Sequence, residues 1–161
     1  MIGRVALLVT FKKAKPQPQS LSRSHIRDLA TIKNGQVVIE TYPNAWDFGN
    51  SDKQMKSTYG DYRVEYGDLF EIAMGAPLGG QAYLVTDNKI SLIDKWCSGP
   101  PIWDSEGKKV AIPKWTRTFW KGTLQQLIVI DLSTGEKTTF KRKFDVLDLR
   151  SFEKNKIYGI R

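Results

Sequence analysis

Apolar and polar positions along this chain change over in short runs closed by glycine, asparagine and charged residues, the pattern of a β-meander. Residues 4–11 (RVALLVTF) are apolar and β-branched over the length of one buried strand, and the Lys/Pro-rich residues 12–18 end it as a loop. Ser24 is a fit N-cap for one short helix near residues 25–32, with Ile26, Leu29 and Ile32 or Ala30 on one side. Lys33-Asn34-Gly35-Gln36 then reads as a turn launching a strand over 37–41, because Asn and Gly tolerate positive φ. Residues 43–60 keep no period and read as a long surface loop carrying Trp46, Phe48, Gly49, Asn50 and Asp52. Tyr62, Val64 and Tyr66 alternate with Arg63 and Glu65, as on a half-buried strand.

The second half is more regular. Apolar segments at 82–85 and 90–93 flank Asp87-Asn88-Lys89, and those at 101–103 and 110–115 flank Ser105-Glu106-Gly107-Lys108. Segments at 127–132 and 137–140 flank Ser133-Thr134-Gly135-Glu136, and those at 146–149 and 157–160 flank Lys154-Asn155-Lys156. Each pair reads as a β-hairpin. The turn centres Asn88 and Gly135 lie 47 residues apart, and Gly107 and Asn155 lie 48 apart, so alternate turns repeat. A four-strand unit recurring every ~40 to 50 residues has the period of a propeller blade.

The segment from Gly99 through Trp103, Asp104, Gly107 and Lys108 to Ile112 resembles a blade of TolB-type and WD-repeat-like β-propellers. In that motif a tryptophan strand, an acidic-glycine turn and a lysine precede an apolar strand, and Leu127 to Glu136 is similar to the next hairpin. Ser105 and Glu106 replace the family's usual proline and aspartate, and residues 114–124 lengthen one connection. Residues 82–160 supply fewer than two units where a closed ring needs ~4 to 8. The expected fold is therefore mainly β, an antiparallel meander of hairpins forming an open, half-propeller-like pair of sheets, in a single domain over 1–161. Residues 1–81 add strands, the short helix and the irregular loop.

Composition narrows the function classes. With 161 residues a core needs no covalent staple, and the lone Cys97 forms no internal disulfide, which points to a reducing, cytoplasmic setting. No run is long enough for a signal-peptide core or a membrane span. The net charge of +8 is uneven: residues 41–95 hold five basic and eight acidic residues, whereas 96–161 hold thirteen and seven. That imbalance suits either acidic partners or a chain kept in solution by lysine.

Catalytic constellations are lacking. His25 and Cys97 are single, so the common zinc ligand sets are out of reach, and Ser22 or Ser24 beside His25 is no triad geometry. The serine-lysine spacings at 105–108 and 151–154 lack companion motifs, and Gly75, Gly79 and Gly80 lack the lysine and helix of a phosphate loop. No cofactor or metal is implied. Asp61, Glu65, Asp68 and Glu71 would serve hydrolysis only if two converged on a substrate.

A non-enzymatic protein-binding module follows by exclusion, and small bacterial immunity proteins that cover a toxin's active site have a similar general look. On that reading Asp47, Asp52, Asp61, Glu65 and Asp68 would fill a basic groove of the toxin, with Trp46, Tyr59 and Tyr62 as rigid anchors. The alternative is RNA or single-stranded DNA binding through Trp115, Arg117, Trp120 and Lys121, where aromatic faces stack bases and cations hold phosphates. Unprotected strand edges also suit a homodimer, and no membrane partner is expected.

Overall fold

The computed structural model describes residues 8–12, 29–33, 36–40 and 43–160. It is mainly β, with sheets antiparallel in all but one strand pair that do not close into a barrel. The first strands are β1 (Leu8–Lys12), β2 (Leu29–Lys33) and β3 (Gln36–Glu40), followed by a single 3-10 turn at Lys53–Met55. Next come β4 (Arg63–Tyr66), β5 (Phe70–Glu71), β6 (Leu78–Thr86) and β7 (Lys89–Cys97). The remainder are β8 (Ile102–Trp103), β9 (Lys109–Thr118), β10 (Gly122–Asp131), β11 (Glu136–Thr139), β12 (Asp148–Glu153) and β13 (Lys156–Ile160). The four hairpins of the second half form around the expected turns, the first strand of the last one running Asp148–Glu153 rather than 146–149.

Some expectations need correction. The helix near residues 25–32 does not extend over its second half, because Leu29–Lys33 is a strand paired antiparallel with Gln36–Glu40. Residues 25–28, and Asn34 and Gly35 of the turn, lie outside the described residues. Thr31 and Ile32 are β-branched, and a partner strand close by in sequence satisfies their backbone more cheaply than a helix does. The stretch 43–60 is also more than a surface loop: it buries Ala45, Phe48 and Met55.

The main sheet runs β11-β10-β9-β7-β6-β4, with β5 added to β6 and β8 to β9. Residues 114–124, expected as a lengthened connection, are instead the paired ends of β9 and β10, whose ten-residue register from Asp131↔Lys109 to Gly122↔Thr118 has no break. These two strands are apolar without alternation because both of their faces are covered. Val110, Ile112, Ile128 and Ile130 join a core with Val64, Tyr66, Ala82, Ile93 and Cys97, closed by Phe48 and Met55. Ala111, Leu127 and Val129 point the other way, onto Phe144, Leu147, Leu149, Phe152 and Ile157.

Leu149, Phe152 and Ile157 of that layer belong to a three-stranded sheet, β1-β13-β12, in which β1 is parallel to β13. Polar contacts tie it to the main sheet. The backbone N–H of Leu147 donates to the wholly buried Gln125 Oε1, and Lys109 Nζ donates to Asn155 Oδ1 at 2.9 Å.

The outer edge of β4 is occupied by a side chain that imitates a strand. Asn50 donates from Nδ2 to the Tyr66 carbonyl and accepts the Tyr66 N–H on Oδ1, both at 2.8 Å. Lys56 bridges Arg63 farther along. The β11 edge has no such cover among the described residues.

Candidate nucleic-acid interface

The acidic and aromatic residues singled out in 46–68 do not share one surface. Tyr59 and Tyr62 stack with ring centroids 6.3 Å apart and planes 10° apart, beside exposed Asp61. Lys108 Nζ sits 5.7 Å from the Tyr59 ring centre, and its hydrogen bond with Glu106 raises the Lys108 pKa. A small hollow of about 190 Å³ there is lined by Ser57, Asp61, Tyr62, Arg63 and Asp87.

Trp46 and Asp68 lie toward the opposite end of β4. Trp46 Nε1 donates to the Gly75 carbonyl at 2.9 Å, and the Asp68 backbone abuts Gly80. Asp47 pairs its backbone with Asn44. The remaining carboxylates have local work: Asp52 Oδ2 accepts the Gly49 N–H at 2.7 Å, and Glu65 pairs with Arg63 at 2.6 Å. Of the five carboxylates, Asp52 and Glu65 are thus already engaged.

The basic-aromatic residues come out differently. Trp115 is only 4% exposed, packed against Gly79, and leaves the candidate surface. Phe119 and Trp120 stand at the tip of the β9–β10 hairpin, 90% and 89% exposed, in edge-to-face contact at 4.8 Å. The tip is held by local chemistry. Gly122 adopts φ +70°, a left-handed conformation that glycine enters without a Cβ penalty, and Thr118 Oγ1 accepts the Lys121 N–H and donates to the Gly122 carbonyl. Arg117 and Lys121 are exposed beside it.

Residues 141–143 are three of the thirteen basic residues after residue 95, and the fold brings Lys143 to the groove beside this tip. Beyond β11 the chain stays alongside β10: the Phe140 N–H donates to the Leu127 carbonyl, and Phe144 and Gln125 exchange both backbone hydrogen bonds. Gln126 alone therefore faces three residues, Lys141, Arg142 and Lys143. An excess on one strand is a bulge, and a bulge throws its extra residues outward. Gln126 Nε2 closes it by donating to the Phe140 carbonyl at 3.0 Å. The Arg142 guanidinium lies 5.2 Å from the centre of the Phe144 ring.

The tip and the bulge flank an open groove of about 670 Å³, lined by Trp120, Lys121, Leu124, Lys143, Phe144 and Asp145. Arg63, Lys108, Lys109, Lys114 and Arg150 each pair with a carboxylate. None of Arg117, Lys121, Lys141, Arg142 and Lys143 has such an ion pair with a described residue. Cations without an ion pair among the described residues can hold a phosphate backbone while the exposed aromatic faces beside them stack its bases.

Among the described residues no three His, Cys, Asp or Glu side chains gather as a metal site, and no helix is long and apolar enough to cross a membrane. His25 lies outside the described residues. Comparison with protein-family models, curated proteins and solved structures finds no match to this chain.

Proposed function

We propose that this chain is a non-enzymatic binding module that takes single-stranded RNA or DNA in the groove between the β9–β10 tip and the 141–143 bulge. The observation carrying this reading is the convergence of an exposed Trp120 with Lys121 and Lys143, from separate segments, around one groove. An exposed ring needs an unstacked base as its partner, which a duplex does not offer. The cations supply affinity by displacing counterions from phosphates.

Fluorescence anisotropy with labelled oligonucleotides tests the reading. Stacking is worth ~1 to 3 kcal/mol per base, so Trp120→Ala should weaken binding by roughly tenfold or more. Two phosphate contacts, at Lys121 and Lys143, should give a log–log salt slope of about −1.4, made shallower by Lys143→Glu. Absence of binding to every single strand at low salt overturns the proposal.

A second reading, a protein-binding module of the bacterial immunity type, is favoured by the Tyr59–Tyr62 stack beside Asp61, a preformed aromatic anchor on a different surface. Its test is protection of cells expressing a toxin encoded beside this gene. Tyr59→Ala with Asp61→Lys should remove protection and leave oligonucleotide binding intact, whereas full protection by the double variant discards that surface.

A further inference from the structure

The groove contains one group that a purely electrostatic phosphate site has no use for. Asp145 is exposed, lines the same groove as Trp120, Lys121 and Lys143, and forms no ion pair with any described residue. Its carboxylate opposes phosphate binding and pairs with none of the cations around it. Its backbone position is set by the Phe144–Gln125 pairing one residue earlier and by the Leu147 N–H held on Gln125 two residues later.

Resting on the nucleic-acid reading, we infer that Asp145 selects the base that stacks on Trp120, favouring bases with an exocyclic amino group over thymine and uracil. An ionised carboxylate only accepts hydrogen bonds. Cytosine presents the N4 amino group as a donor at the position where thymine and uracil present the O4 acceptor. A carboxylate facing that edge gains a charge-assisted bond with cytosine and meets like-signed lone pairs with thymine. Cytosine and thymine are both pyrimidines, so comparing them holds ring size nearly constant and isolates this edge. Asp145 thus gives up some general affinity for discrimination, since specificity is a difference that repulsion can supply.

The test uses the full chain with labelled oligo(dC) and oligo(dT) of equal length, at low salt and neutral pH. A charge-assisted hydrogen bond at an open site should favour oligo(dC) by about five- to tenfold. Asp145→Ala should bind oligo(dT) more tightly than the parent chain does and lose the preference. Asp145→Asn, which both donates and accepts, should bind the two strands about equally. Equal binding of both strands by the parent chain overturns the inference and leaves the nucleic-acid reading standing. So does a cytosine preference that survives Asp145→Ala. Failure of both strands to bind overturns the two together. Because Asp145 is exposed, unchanged thermal melting of both variants verifies that the fold is intact.

Discussion

Cys97 and Tyr66 occupy the same core, and burial acts on both in the same direction. Desolvation first, then the nearby Asp94 carboxylate, pushes the Cys97 thiol up to about 12, against the smaller opposing pull of Lys114 and Lys137. Burial likewise raises Tyr66, whose hydroxyl donates to the Ser98 carbonyl at 2.9 Å. The sign of the consequence follows from proton counts. Above pH 9 the unfolded chain releases the thiol proton while the folded chain keeps it, so stability falls as pH rises toward 12. Each such group contributes at most ~1.4 kcal/mol per pH unit. Urea midpoints measured from pH 8 to 11 should decline, and Cys97→Ala should flatten the decline whatever its constant packing cost. Parallel alkaline limbs for the two proteins would show that the thiol is not shielded. The sequence presents Cys97 as a lone cysteine; its shielding is set by residues from β4, β7 and the 43–60 stretch, which spacing along the chain does not bring together.

Hairpins are the units most legible in the sequence, because a glycine or asparagine between two apolar runs is a local signal with a local cause. Gly107 and Gly122 both carry φ +70°, yet their surroundings differ. A Cβ on Gly122 meets nothing within 4 Å, whereas one on Gly107 falls 2.6 Å from both Ser57 Oγ and Thr58 Oγ1 and 2.7 Å from the Tyr59 backbone nitrogen. Gly122→Ala should therefore cost only the backbone term, ~1 to 2 kcal/mol. Gly107→Ala should cost distinctly more in chemical denaturation, because it also displaces the loop that Ser57 holds by donating to the Gly107 carbonyl at 2.6 Å. Equal costs would mean that this loop yields freely. The turn glycine was visible in the sequence, but the loop that docks on it comes from fifty residues away. Over residues 29–32 a strand replaces the expected helix for the related reason that a three-and-four spacing describes one segment by itself, while β2 is decided by its pairing with β3.

At the scale of the whole molecule the apolar runs of β9 and β10 were readable as strands, and the thirteen basic residues after residue 95 were readable as an imbalance. Neither indicated a site. A continuous apolar run says that both faces are covered without saying by what, and the two covering layers come from 48–66 and 144–157. The groove arises in the same way. Trp120 and Lys143 stand twenty-three residues apart and meet because β11 and its continuation run back along β10 and bulge at Gln126. Trp115, chemically indistinguishable from Trp120 in the sequence, is sent into the interior. The sequence by itself determined the β character, the turns and the uneven charge, since each depends on neighbours a few positions away. Only the tertiary structure decided which aromatics are exposed, which carboxylates are already engaged and which cations form no ion pair with a described residue, because those depend on strand pairing between distant segments.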